Sequence, residues 1–300
     1  MNELKIENKL LIISLLIIGC VAIYCIVSYI KWYNNYTYAI NDTINECKNN
    51  TIKEREEYCN NLLSEVNETN PDFIYTVNTI IQDSSIIIYI VFLLIVIPTL
   101  YYVCKMFKSR NIIYQLTREK YKDFLKKMFK KAYTSILILP SMFLVIILFS
   151  IIFCNGFSTN HLFSQGLLES EMSNMISPII YIIAIILKAT IISIIYINIS
   201  MIVARKNHNL YISIILSYLL YIGIEIFLEG LIGKILFLNI FKIDSMMLYF
   251  NIMNIFSLNL VKGYPYTFIP LILILILTTI IVIKMYKNKE SLIIDCDKNN

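Results

Sequence analysis

Long uninterrupted apolar runs constrain the fold of this chain more than any other feature of its sequence. A transmembrane helix needs about 20 apolar residues, and runs of that length recur along the whole chain. Charged residues make up only 16% of it, against about 25% in a typical soluble protein. We therefore predict an all-α membrane protein, with residues 1–300 forming a single polytopic transmembrane domain in the lipid bilayer.

Six spans are predicted from the apolar runs and the residues that flank them. The first run is longer than the apolar core of a cleaved signal peptide, so we expect a retained helix. Pro178 suits the first turn of the fourth span. The predicted spans are residues 10–30, 86–104, 134–154, 178–204, 210–228 and 268–283.

Two stretches between the spans have helical patterns of their own. Residues 105–133 carry ten Lys and Arg residues against two acidic residues. Their apolar residues recur at helical spacing, which predicts an amphipathic helix between the second and third spans. Residues 230–266 are apolar but are interrupted by charges, so each piece is too short to span. Such pieces are typical of re-entrant or interfacial helices, here between the fifth and sixth spans.

The distribution of positive charge predicts the orientation of the chain. Loops rich in Lys and Arg stay in the cytoplasm. With six spans, both termini and residues 105–133 share a side that carries 18 Lys and Arg residues, while the other side carries seven. We therefore predict that this basic segment and both termini are cytoplasmic and that the acidic loop 31–85 is outside. The bias toward Ile, Asn, Lys and Tyr is typical of AT-rich genomes and indicates a bacterial source. We therefore predict that the membrane is the bacterial plasma membrane.

The sequence lacks the patterns that enzymes and nucleotide-binding proteins use. Its two histidines, His161 and His208, cannot form HExxH, and no GxSxG or GxxxxGK[ST] motif occurs. None of the seven cysteines has metal-ligand spacing. We therefore predict no catalytic residues, no cofactor and no metal. Membrane topology accounts for the net charge of +5, so no nucleic-acid partner is predicted.

Two cysteines and two charged residues in unusual positions are candidate structural pairs. Cys47 and Cys59 both lie in the predicted outer loop, on the oxidising side of the membrane. Two readings stay open there, a disulfide and two free thiols. Lys188 and Glu225 lie in the fourth and fifth spans at depths that differ by about 3 Å, which permits an intramembrane ion pair. The alternative is that Lys188 snorkels and Glu225 lies near the outer headgroups.

Two stretches of the sequence carry a resemblance to a known family. The stretch Ser109–Phe129 reads SRNIIYQLTREKYKDFLKKMF, and Asn254–Val261 reads NIFSLNLV before the last span. Together with the six-span layout, these stretches resemble the permease subunit of ABC transporters of the type-2, exporter-like family. The positions that match the family's docking stretch are Ile112, Ile113, Leu116, Arg118, Lys120, Tyr121 and Lys126.

The resemblance implies a transport function that the residues alone do not specify. It implies a separate ABC ATP-binding subunit that docks at Leu116, Arg118, Lys120 and Tyr121. It also implies a second permease chain, as a homodimer or heterodimer, and export by alternating access. A different class of function stays open, in which a non-transport membrane protein, a sensor or an assembly factor, uses the acidic outer loop for recognition.

Overall fold

A computed structural model describes residues 2–49, 72–82, 87–108, 111–157, 177–242 and 264–298. These residues form helices and connecting turns, with no strand among them. Six of their helices are long and apolar enough to cross a membrane. The predicted all-α class is therefore confirmed, and the number of helices able to span a membrane equals the six predicted spans.

The helices differ in length and in how they continue into one another. A 3₁₀ turn at Tyr133–Leu137 leads into α6. In chain order the described helices are α1 (Asn2–Asn49), α2 (Phe73–Gln82), α3 (Ile87–Lys108), α4 (Asn111–Leu116), α5 (Tyr121–Ala132), α6 (Ile138–Phe153), α7 (Pro178–Lys206), α8 (Leu210–Ile226), α9 (Tyr264–Lys287) and α10 (Lys289–Lys298).

Helix α7 lies at the centre of the bundle. It packs against α3, α6, α8 and α9, and buried side chains point from it in all directions. Its first turns expose Ile179, Ile180, Ile183 and Leu187, and most of its side chains are buried from Lys188 onward. Phe92 of α3 packs edge-on against Tyr196 of α7 and stacks on Tyr221 of α8, so large aromatic side chains fill the space between these three helices.

The predicted outer loop 31–85 is partly helical and partly packed into the bundle. Helix α1 continues to Asn49, well beyond the predicted end of the first span at residue 30. Asp72 then accepts a hydrogen bond from the backbone N–H of Tyr75 at 2.7 Å, which caps the start of α2. Helix α2 is almost entirely buried and packs against α1, α6 and α7.

Helix α8 does not end where its α-helical hydrogen bonds end. The segment Phe227–Ile240 continues it as a π-helix, and the backbone N–H of Phe241 donates to the carbonyl of Leu236, five residues earlier. Together they make one candidate span over Leu210–Ile240. Most of the stretch 230–266, for which re-entrant or interfacial helices were predicted, lies outside the described residues.

Candidate functional site

The basic segment 105–133 begins in the last turn of α3 and continues as two short helices. A turn at residues 117–120 separates α4 from α5. In α5 the side chains of Phe124, Met128 and Ala132 are buried. The lysines between them, at positions 122, 126, 127 and 130, are exposed. The positive charge of α5 therefore faces away from the bundle while its apolar side packs against it.

The four residues predicted to dock an ATPase fall into two groups. Arg118 and Lys120 are exposed in the turn. Leu116 is only 8% exposed, and Tyr121 is half-buried. A partner can therefore reach the two basic side chains, while Leu116 and Tyr121 hold the turn against the rest of the chain. Lys127 and Glu119 form an exposed ion pair at 2.6 Å that links the turn to α5.

Tyr121 connects the basic segment to the ends of two spans. Its hydroxyl donates a hydrogen bond to the backbone carbonyl of Tyr286 in the last turn of α9. Carbonyls at a helix C-terminus lack an intrahelical donor, so this bond satisfies one of them. The hydroxyl of Tyr286 in turn donates to the carbonyl of Met201 in α7 at 3.0 Å.

Arg205, at the end of α7, is the charged centre of this region. It is 5% exposed, and its Nε lies 3.0 Å from Oδ2 of Asp295 in α10. One terminal nitrogen, Nη2, donates to Oγ of Ser291 at 2.6 Å. The guanidinium also lies 5.4 Å from the ring centre of Tyr286, within cation–π range. The end of α7 is thus joined to α9 and α10 by one side chain.

In the sequence, Arg205 is only a basic residue directly after the predicted span 178–204. Its partners Ser291 and Asp295 are four residues apart, so they lie on one face of α10. That spacing in a short polar tail is a signal for a helix that docks. The spacing does not show that Arg205 is the residue that pairs with this face of α10, because many other basic residues lie at the same predicted depth.

A polar network inside the bundle was also missed from the sequence. Asn198 of α7 donates to the hydroxyls of Thr278 and Thr279 in α9 at 3.1 and 3.0 Å. Its side-chain oxygen accepts a hydrogen bond from Tyr133. Polar side chains at membrane depth find partners on neighbouring helices. An Asn in the fourth span and paired threonines in the sixth were the available signal.

The two predicted pairs are described only in part. Lys188 is 1% exposed, and its helix α7 packs against α8, which carries Glu225. The side chain of Glu225 lies outside the described part of the chain, so the ion pair stays a prediction. Cys47 is disulfide-bonded. Cys59 lies outside the described residues, so the Cys47–Cys59 pairing also stays a prediction.

Neither metal ligands nor known relatives point to a chemistry for this region. Over the described ranges, no group of three His, Cys, Asp or Glu side chains could hold a metal ion. No protein-family profile, curated protein or solved structure matches the chain. A function for this region can therefore be inferred only from the geometry of the basic segment and from the resemblance of its sequence.

Proposed function

We propose that this chain is the membrane-spanning permease subunit of an ABC transporter, an exporter energised by a separate ATP-binding subunit. The ATPase docks on the cytoplasmic amphipathic segment at residues 105–133, and a second permease chain completes the translocation path. Both termini are cytoplasmic in this arrangement. The chain itself is not an enzyme, because the ATPase supplies nucleotide hydrolysis.

One observation carries the proposal. The exposed Arg118 and Lys120 sit in a turn that is anchored through Tyr121 to Tyr286, and Tyr286 contacts both Met201 and Arg205. A push on the turn is therefore transmitted directly to the ends of α7 and α9. This is the mechanical connection that a permease needs if a soluble motor is to move its spans.

The amount of charge also supports a docking role. Around the turn between α7 and α8 the sequence has only Arg205 and Lys206 as basic residues, whereas residues 105–133 carry ten. An interfacial helix on anionic lipid would use such charge without specificity, at about 1 kcal/mol for each basic residue near the surface. Docking on a protein instead depends on which positions carry the charge.

The test is co-purification of the tagged protein from its native host in mild detergent. Arg118→Glu with Lys120→Glu should abolish recovery of a P-loop ATPase while the protein still inserts normally. The matched control, Lys122→Glu with Lys130→Glu, makes the same charge change on the exposed side of α5, at positions outside the docking match, and should retain the ATPase. Equal loss in both variants would indicate lipid adsorption instead.

The wild-type result decides between the two classes of function. Recovery of a P-loop protein with the intact segment is expected for a permease. Recovery of none would overturn the transporter proposal in favour of a sensor or an assembly factor that uses the acidic outer loop.

A further inference from the structure

We propose that a cavity between the end of α3 and the turn joining α7 to α8 binds the phosphate group of an anionic membrane lipid. The cavity has a volume of about 400 Å³, and its lining includes Lys105, Lys108, His208, Asn209 and Tyr211. It lies where α3 and α7 end and α8 begins, which is the level of lipid headgroups. This proposal does not depend on the proposed transport function.

Among the described residues that line the cavity, two are lysines and none is acidic. Lys105 and Lys108 come from the last turn of α3. Asn209 caps α8 by accepting a hydrogen bond from the backbone N–H of Tyr211 at 3.0 Å. The N-terminus of α8 therefore adds its partial positive charge at the same place, and such termini favour phosphate.

A second, independent sign of a ligand is that the ring of His208 is buried without a hydrogen-bond partner. Its side chain is 6% exposed and lines the cavity. Neither ring nitrogen makes a hydrogen bond within ordinary geometric limits. Burial lowers the pKa of the ring, and the nearby backbone of Arg205 opposes this only in part. A buried polar group without a partner is costly, and a phosphate oxygen in the cavity would accept a hydrogen bond from the ring.

The pocket is held in shape by contacts behind it. The ring of His208 stacks on Phe107 with centroids 4.6 Å apart. The thiol of Cys104 lies 3.7 Å from Oγ of Ser213 and 3.8 Å from the carbonyl of Asn207. These contacts fix α3 to the turn, so the basic groups keep their positions relative to one another before any ligand binds.

A lipid fits this cavity better than a soluble phosphate because of what lies beside it. Tyr211 is highly exposed at the mouth, as aromatic side chains are at membrane interfaces. Along α8 below it, exposed apolar residues form a continuous surface on which acyl chains can lie: Ile212, Ile215, Leu216, Leu219 and Leu220. A soluble anion would make no use of that surface.

Lys105 and Lys108 could have a simpler role than lipid binding, and the two roles must be distinguished. Basic residues in the last turn stabilise their own helix through its dipole. That role would not require a cavity, an unpartnered histidine or a second helix terminus at the same place. The experiment therefore measures ligand binding and protein stability separately.

The experiment is native mass spectrometry of the full chain in detergent, titrated with phosphatidylglycerol, phosphatidylcholine or inorganic phosphate. We expect one phosphatidylglycerol to bind more tightly than phosphatidylcholine. Lys105→Gln with Lys108→Gln should weaken it roughly 30-fold, the equivalent of about 2 kcal/mol. Lys122→Gln with Lys126→Gln removes the same charge from the exposed side of α5 and should change binding less than threefold.

A third variant keeps the test decisive if the lysine variant is unstable. His208→Phe retains the stacking on Phe107 but loses both ring nitrogens, so lipid binding should weaken while the melting temperature is kept. Equal binding of the two lipids would overturn the proposal, as would equal loss in the control variant. Displacement of the lipid by millimolar phosphate would reassign the site to a soluble anion and also overturn it.

Discussion

The hydroxyl of Tyr121 donates a hydrogen bond to the backbone carbonyl of Tyr286, 165 residues further along the chain. This bond joins the first residue of α5 to the last turn of α9. The bond thus connects the turn at residues 117–120 to the end of α9, and the side chain of Tyr286 continues the connection to Met201 and Arg205 at the end of α7.

Removing the hydrogen bond between Tyr121 and Tyr286 should uncouple the turn at residues 117–120 from the ends of α7 and α9. Tyr121→Phe loses one hydrogen bond, worth about 1 kcal/mol, and keeps the ring packing. We expect the variant to retain its ATPase partner but to alter the ATP hydrolysis rate of the purified complex. Tyr114→Phe is the matched control, since Tyr114 is 65% exposed. Identical rates for both variants would mean that the bond transmits nothing.

The charged residue inside α7 leads to a second prediction. Lys188→Met should lower the yield of folded protein, because it leaves the partner charge unpaired in a low-dielectric site. Lys188→Met with Glu225→Gln should recover part of that loss, and fluorescence-detected size-exclusion chromatography would measure it. Simple additivity of the two changes would show that the residues do not touch.

A surface ion pair provides the control for that experiment. Lys127 and Glu119, between the second and third predicted spans, lie 2.6 Å apart with more than half of the lysine side chain exposed. Exposed pairs contribute little to stability, so Lys127→Met should leave the yield close to that of the wild type. A comparable drop in both variants would point to a general effect of lysine loss on membrane insertion.

The disulfide of Cys47 should close a short loop to Cys59. A closed loop of about 15 residues contributes about 3 kcal/mol in the chain-entropy picture. Mass spectrometry of the non-reduced protein should find the two cysteines in one cross-linked peptide and resistant to alkylation. A peptide that links Cys47 to any other cysteine, or full alkylation of Cys59 without reductant, would refute the predicted pairing.

His208 should make the protein less stable in acid. It lies in the turn between two spans, and burial lowers the pKa of its ring below the usual range. The unfolded chain then binds more protons than the folded one below about pH 6.5. Stability should therefore be fully present above that pH and fall as the pH drops. The charged groups near the ring are Arg205, Asp295, Lys105 and Lys108.

The measurement is the melting temperature of the wild type and of His208→Phe between pH 5 and 8. The variant has no proton to bind at this position, so its curve should be flatter below pH 6.5. Parallel curves would show that the acid sensitivity comes from the surrounding carboxylates instead.

The orientation of the chain is tested by labelling one position in intact cells. A cysteine that replaces Asn50, just past the end of α1, should react with a membrane-impermeant thiol reagent. The reason is the excess of Lys and Arg on the predicted cytoplasmic side, 18 against seven. Labelling only after the membrane is permeabilised would reverse the orientation.

The spans could be predicted from the sequence because each has a strong local cause. A run of about 20 apolar residues has no other stable place than a bilayer or a large core. The start of α7 at Pro178 coincides with the predicted one, since proline suits a first helical turn. Six spans were predicted, and six helices of the described residues meet the requirement.

The features that were missed depend on contacts between distant parts of the chain. Helix α2 is buried by α1, α6 and α7, and its flanking polar residues made it part of a predicted loop. Arg205 has the same local surroundings as any basic turn residue until Asp295 is placed beside it. Leu116 matched the docking stretch in the sequence. Only the folded structure shows that its side chain is buried against other parts of the same chain.

The length of α1 has a consequence for any partner that binds the side of the protein predicted to be outside. Its 48 residues make a rod about 72 Å long, more than twice the thickness of the bilayer's hydrocarbon core. If residues 10–30 occupy the membrane, Asn49 stands roughly 28 Å above it, about the height of a small folded domain. A soluble partner that binds the end of α1 would therefore contact the protein roughly 28 Å from the lipid surface.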